Sequence, residues 1–311
     1  MKKSLSFHAG ARSRFFHLPT AVGVLLLLAW VPLQAANPDL YTSSFTNSLF
    51  RIDSAGVATS FSSSIDRPFG LAFGIDGELY VSSDATSGPY AIYKIDPDGT
   101  VHTFVNSGLN RPFGIVFDPT GNLFVANEGG GTISKITPQG VVTTFATGLN
   151  IPIGLTRDNA GNLYAATSGT VTKIDPLGNL STYATVPSFF AWGLAFNSAG
   201  DLFVSDGATN GTGSVARITP LGAVSTFASG FNQPEGLTFD AADNLYVANS
   251  VDNRVQVVSP GGSVSLYSNV SSPTNVAFVP SPEPSTCVMI GLALPALLIF
   301  RRHRRAGNVP W

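Results

Sequence analysis

Apolar residues in the middle of this chain come in short runs, and the runs recur. Residues 111–150, RPFGIVFDPTGNLFVANEGGGTISKITPQGVVTTFATGLN, hold one full set. Pro112-Phe113-Gly114 opens an apolar run that Asp118-Pro119-Thr120-Gly121 interrupts. An aromatic-rich run from Leu123 to Ala126 follows, then a polar loop and a run ending in Lys135-Ile136. Pro138-Gln139-Gly140 turns the chain into a last run, Val141 to Phe145. These predict four short strands with turn residues between them, and the pattern shows no helical period. Runs such as Leu245-Tyr246-Val247-Ala248 are apolar at every position, so both faces of such a strand must be covered.

The unit repeats. Its Pro-x-Gly glycines, or their equivalents, stand at Gly70, Gly114, Gly154, Gly193 and Gly236, spaced by 44, 40, 39 and 43 residues; another 39 residues reach Asn275. A period near 40 carrying four strands is the signature of a β-propeller blade. After Asn275 the repeat stops with one strand, and the missing three stand at the other end: Leu40 to Ser43, Leu49 to Asp53 and Val57 to Phe61. The chain therefore predicts an all-β, six-bladed propeller over residues 37–280, closed by strand exchange between its termini so that no sheet edge is left open. The 32 glycines and 21 prolines suit its many turns. A glycine on each innermost strand suits the crowding at the axis, where a Cβ would obstruct close approach.

Residues 1–36 lie outside that repeat. Lys2, Lys3, Arg12 and Arg14 precede an apolar run from Ala21 to Val31, and Leu33-Gln34-Ala35-Ala36 offers small residues for cleavage. The run is shorter than the ~20 residues of a spanning helix, which points to a cleaved secretory signal rather than an anchor. At the other end, residues 281–311 contain Pro282-Glu283-Pro284-Ser285-Thr286, a 14-residue, mainly apolar segment from Cys287 to Phe300, and the cluster Arg301-Arg302-His303-Arg304-Arg305. The arrangement resembles the PEP-CTERM sorting signal of Gram-negative bacteria that make extracellular polysaccharide, although six further residues follow the cluster. The resemblance implies export across the inner membrane, a transient C-terminal transmembrane helix, and processing by an exosortase-type enzyme. The destination it implies is the cell surface or the extracellular matrix, where polysaccharide or surface proteins become candidate partners.

The whole chain has a net charge of −2, but residues 37–280 hold 9 Lys and Arg against 18 Asp and Glu, a balance of −9. That speaks against nucleic acid as a partner. Cys287, the sole cysteine, lies outside the repeat and leaves no intrachain disulfide. Gly129-Gly130-Gly131 is followed by a strand pattern rather than a helix and so reads as a connection, not a phosphate loop.

The copy at 233–262, QPEGLTFDAADNLYVANSVDNRVQVVSPGG, resembles the NHL repeat, and the likeness extends over about residues 38–279. Relatives of this architecture include gluconolactonase-like hydrolases, streptogramin-type lyases, a peptide-amidating lyase and binding modules without activity. Fold alone does not choose among them.

In an up-and-down blade the start of strand 1 and the end of strand 2 share one end of the channel. This places Phe69, Phe113, Ile153, Trp192, Glu235 and Thr274 at one mouth with Ser83, Asn127, Thr167, Asp206, Asn249 and, in the shared blade, Ser43. The loops after strand 2 are longer in blades 2 and 5. One reading is an enzyme: Asp206, Glu235, Asn127 and Asn249 are oxygen donors suited to Ca2+ or another divalent cation, which could polarise a lactone carbonyl as the gluconolactonase-like resemblance implies. That family's early Glu-Gly-Pro ligand has no counterpart here. The alternative for these side chains is hydrogen bonding to the tunnel backbone. His102, the only histidine of the repeat region, falls in an outer strand, which removes a three-histidine zinc site and the usual general base. The Lys/Arg positions at Arg51, Lys94, Lys135, Lys173 and Arg217 recur once per blade and read as structural. The other reading is a non-catalytic binding or scaffold module whose Phe69, Phe113, Ile153 and Trp192 form an apolar mouth for sugar rings or apolar groups. These aromatics could equally fold down and cap the tunnel.

Overall fold

The structure, a computed structural model, describes residues 39–186, 191–209 and 211–279. Each run of the repeat forms a strand. The chain opens with β1 (Leu40–Ser44), β2 (Ser48–Ile52) and β3 (Ala58–Ser62). Blade 2 is β4 (Pro68–Phe73), β5 (Leu79–Ser83), β6 (Ala91–Ile95) and β7 (Val101–Val105), and blade 3 is β8 (Pro112–Phe117), β9 (Leu123–Asn127), β10 (Thr132–Ile136) and β11 (Val142–Thr147). Blade 4 is β12 (Leu155–Arg157), β13 (Leu163–Thr167), β14 (Thr170–Ile174) and β15 (Leu180–Thr185). Blade 5 is β16 (Ala191–Phe196), β17 (Leu202–Asp206), β18 (Gly213–Ile218) and β19 (Val224–Phe231), and blade 6 is β20 (Pro234–Phe239), β21 (Leu245–Asn249), β22 (Arg254–Val258) and β23 (Val264–Asn269). The last strand, β24 (Pro273–Phe278), pairs antiparallel with β1, Leu40 opposite Phe278 and Ser43 opposite Asn275, and so completes blade 1. Six four-stranded antiparallel sheets result, closed by strand exchange. The one helical segment among the described residues is the turn Glu128–Gly130, within the glycine-rich connection.

Strand 2 of each blade is buried along nearly its whole length because the neighbouring blades cover both faces. Its second residue is aromatic in every blade and is gripped from two sides. Tyr80 meets Phe104 of its own blade edge-on, ring centroids 5.2 Å apart, and Phe117 of the next blade at 4.9 Å. Tyr41, Tyr164, Phe203 and Tyr246 repeat this sandwich with the strand-1 residues Phe73, Phe196, Phe239 and Phe278. Such edge-to-face pairs add to the area they bury, so each blade interface is both apolar and specific in its register. Phe124 of blade 3 is the exception, with one ring partner, Phe145, because strand 1 of the following blade ends in Arg157.

The axial glycines do what crowding demands. A Cβ on Gly154 would stand 2.0 Å from the carbonyl oxygen of Trp192, and one on Gly193 2.2 Å from that of Glu235. Serines in strand 2 tie adjacent inner strands together: Ser82 Oγ donates to the Phe113 carbonyl and Ser205 Oγ to that of Glu235, both at 2.5 Å.

The recurring strand-3 cations sit opposite the strand-2 aromatic. Arg51, Lys94 and Arg217 pair with Asp39, Glu78 and Asp201, the residues just before strand 2. Blades 3 and 4 carry Asn122 and Asn162 there, so Lys135 and Lys173 have no carboxylate partner among the described residues and lie over Phe124 and Tyr164 instead. No helix among the described residues is long and apolar enough to cross a membrane. The leader at 1–36 and the tail, with Pro282, Glu283, Pro284, Arg301 and Arg302, lie outside the described residues.

Candidate functional site

The 4-to-1 linkers and 2-to-3 loops meet at one end of the channel, here the upper end. In five blades the residue before the strand-1 proline has positive φ: Arg67 (45°), Arg111 (52°), Ile151 (52°), Gln233 (60°) and Ser272 (44°). A proline disfavours the right-handed helical region for the residue before it, but the left-handed region is uncommon for any residue and an outlier for a β-branched one such as Ile151. Four of the five carbonyls so turned receive an amide from the end of a 2-to-3 connection: Asp84 to Arg67, Glu128 to Arg111, Ser250 to Gln233 and Phe45 to Ser272, at 2.9–3.3 Å. These bonds hold a rim in which strained backbone is concentrated.

Inside the rim the aromatics form an arc. Phe45 meets Phe69 edge-on at 5.2 Å, Phe69 lies 4.2 Å from Phe113, and Phe113 stands 6.3 Å from Trp192. Phe69 and Phe113 are each only 5% exposed, so they fold down over the axis, while Trp192 stays half-buried. Two guanidinium groups cover them: Arg67 lies 5.7 Å from the Phe69 ring and Arg111 5.8 Å from the Phe113 ring. Both arginines also reach the buried Asp84, at 3.4 and 3.6 Å, and Arg111 pairs with Glu128. A guanidinium stacks on an aromatic face while keeping donors free for a carboxylate.

Beneath this lid is a cavity of about 20 Å3, lined by Phe69, Phe113, Trp192, Glu235, Thr274 and Asn275 with three glycines and Gly70 between them. It has room for one water-sized group. Glu235 is 1% exposed; its Oε1 accepts from Gln233 Nε2 at 2.9 Å, while Oε2 makes no hydrogen bond. Burial pushes this carboxyl well above its ordinary value near 4.5, against the opposing pull of Gln233 and Ser250. Removing a carboxylate from water without a counter-charge favours the neutral form, in which the group is a hydrogen-bond donor.

The mouth brings together Phe69, Phe113, Trp192 and Glu235 of the predicted set. Thr274 of that set lines it too, but Asn127, Asp206 and Asn249 do not. Asn127 turns into its own blade: Oδ1 accepts from the Asn110 amide at 3.1 Å, and Nδ2 donates to Thr132 and Ser134. Asn249 does the same with the Asn232 amide, Asp252 and Gln256. Asp206 accepts from the Ala208 amide in its own loop and borders a separate cavity of about 240 Å3 on the flank of blade 5. Asp206, Glu235, Asn127 and Asn249 therefore do not converge as a cation site, and among the described residues no group of three or more His, Cys, Asp or Glu could hold a metal ion. In the shared blade the position equivalent to Ser83 is Ser44, not Ser43. Ser44 Oγ donates to the Ser271 carbonyl as Ser83 Oγ does to that of Asp66, while Ser43 makes the inner-strand tie to Phe69. The sequence reading missed Phe45, Arg67, Arg111 and Asp84; the Arg-Pro-Phe-Gly repeat at 67 and 111 was the available signal.

A closed ring of six NHL-like blades with an aromatic lid over one end of its axis defines a six-bladed β-propeller of the NHL-like class. Residues 31–258 match the virginiamycin B lyase family, and the chain belongs to it. Among solved structures it is similar to virginiamycin B lyase from Staphylococcus aureus, with 17% identity over 70% of this chain and 71% of that one and a TM-score of 0.51. It is also similar to a streptogramin B lyase, at 16% identity over 78% and 74% of the two chains and a TM-score of 0.52. A third is the catalytically inactive histidine-to-alanine variant of the S. aureus enzyme with quinupristin, at 17% over 78% and 75% and a TM-score of 0.51. At these identities the likeness to solved structures carries the fold. No curated protein matches.

Proposed function

We propose that this chain is an exported, surface- or matrix-associated binding propeller that takes a small ligand group at its aromatic mouth. The observation that carries the reading is Glu235, a buried acid with one unsatisfied oxygen, set under the Phe69–Phe113–Trp192 arc. A buried polar atom without a partner is costly unless a ligand completes it. The matching ligand presents an apolar or sugar-ring face to the half-buried Trp192 and an oxygen acceptor to the acid. Support for export comes from the basic and apolar leader and the Pro282-Glu283-Pro284 and arginine-cluster tail. On this reading an exosortase-type enzyme processes the tail at the inner membrane, and extracellular polysaccharide or a surface protein is the partner.

The test is calorimetric titration of the full chain with soluble oligosaccharide fragments, beside Trp192→Ala and Glu235→Ala. Loss of stacking or of the donated hydrogen bond should weaken binding roughly tenfold each, with circular dichroism unchanged. Equal affinities in all three would remove the mouth from consideration.

A second reading, a lyase of the streptogramin type, is favoured by family membership and by the same acid, which could act as a general acid. It would have to work without a histidine partner at the mouth: His102, on β7, is well exposed and bound to Asp96. Turnover of quinupristin by the full chain, abolished in Glu235→Gln, would establish it.

A further inference from the structure

The lower end of the channel departs from the repeat at one position. Strand 1 ends in Phe73, Phe117, Phe196, Phe239 and Phe278 in five blades and in Arg157 in blade 4. Each of those phenylalanines packs on the strand-2 aromatic of the preceding blade, but Phe124, the aromatic before Arg157, has only Phe145 of its own blade. A cation therefore stands where packing calls for a ring. Arg157 lines the lower channel, a cavity of about 410 Å3, as its one charged residue. It also lines a second cavity of about 450 Å3 between blades 4 and 5, together with Lys173, Tyr183, Asn197 and Ser198.

Neither cation of that second cavity is neutralised by an ion pair among the described residues. The one hydrogen bond recorded for the Arg157 guanidinium is to the Asp158 backbone carbonyl, at 3.1 Å. Lys173 lies over the Tyr164 ring at 5.8 Å, and the acidic residue that answers its counterparts Arg51, Lys94 and Arg217 is Asn162 in this blade. Asp158 is the one carboxylate in the cavity wall, and its oxygens are taken by the Asn162 amide and side chain and by Tyr164. Burial raises its affinity for a proton, but those hydrogen bonds outweigh burial and hold it ionised.

We infer that this inter-blade cavity is an anion site, at which Arg157 and Lys173 receive the carboxylate or phosphate group of a small ligand from the face opposite the mouth. A guanidinium matches the paired oxygens of either group, and the ammonium adds a second charge. The site is independent of the reading of Glu235.

The experiment is calorimetric titration of the full chain at low ionic strength with citrate and, separately, inorganic phosphate. The variants are Arg157→Phe, Lys173→Gln and, as a control one blade away, Lys135→Gln. Arg157→Phe restores the pattern of the other five blades and so is designed to fold; an unfolding midpoint at or above that of the parent confirms that it does. The expected result is saturable binding of at least one anion, weakened roughly tenfold or more by Arg157→Phe, weakened several-fold by Lys173→Gln and unaffected by Lys135→Gln. Preference for citrate or phosphate identifies the group the site takes. Absence of saturable binding by the parent, or an Arg157→Phe variant that binds as the parent does, overturns the inference.

Discussion

Replacing Glu235 by Gln should make the propeller more stable, and increasingly so as pH rises. The side chain is 1% exposed and burial lifts its carboxyl well above 4.5. In the unfolded chain the same carboxyl ionises near its ordinary value. The stabilising effect of holding the proton is thus complete below about pH 4.5 and is lost progressively as pH rises from there through the folded value. Within that window each pH unit removes about 1.4 kcal/mol. For a carboxyl still protonated in the folded protein at pH 7, the loss reaches about 3 kcal/mol, a large share of the stability of an ordinary domain. Glutamine keeps the shape, can still accept from Gln233 through its amide oxygen, and carries no titrating proton. Urea unfolding of parent and variant at pH 5, 6, 7 and 8 measures the gap. It should be small at pH 5 and widen steadily above. A gap that stays constant with pH would mean that Glu235 is ionised in the folded protein, and the view of the mouth as a neutral hydrogen-bond donor would fall with it.

Gly154→Ala should destabilise by about 3 kcal/mol or more, because its Cβ would meet the Trp192 backbone carbonyl, which cannot yield as a side chain can; Gly148→Ala, with open space around it and φ of 86°, should cost about 1–2 kcal/mol in the same thermal melts. Asn127→Ala strands the Asn110 amide and the hydroxyl partners of the lost Nδ2, a loss of about 2–3 kcal/mol by chemical denaturation, while leaving the heat of any Ca2+ titration unchanged. Deleting β24 by ending the chain at Asn269 leaves β1 and the inner faces of its neighbours open, and size-exclusion chromatography should then show aggregates in place of a monodisperse ring.

The fold was legible because its information is periodic. Five glycines at nearly equal spacing and a lone sixth strand counted the blades and implied the closure, and the turn residues fixed nearly every strand to within two positions. The shared blade gave the one slip, Ser43 for Ser44, since half a repeat offers fewer landmarks for register. The site was harder to read. Aligning the repeats put Phe69, Phe113, Trp192 and Glu235 on one rim, but strand alternation did not say that Asn127 and Asn249 turn sideways into their own loops. That choice is set by the backbone amides of Asn110 and Asn232, which donate to the two side-chain oxygens and belong to a linker that the repeat pattern does not specify. Arg67 and Arg111 were equally visible as letters. Their role depends on a left-handed backbone that a following proline permits but does not demand.

The strand exchange also fixes where a mechanical load would travel. Leu40 lies opposite Phe278, and the Val279 amide bonds the Asp39 carbonyl, so both ends of the ring leave at the lower face, away from the aromatic mouth. A protein tethered beyond Val279 would present its mouth outward. Tension between that mouth and the tether would run along β24, parallel to the strands beside it. The ladder between β24 and β1 would then be sheared with its hydrogen bonds loaded together, whereas pulling the two ends apart at the lower face would unzip them one at a time.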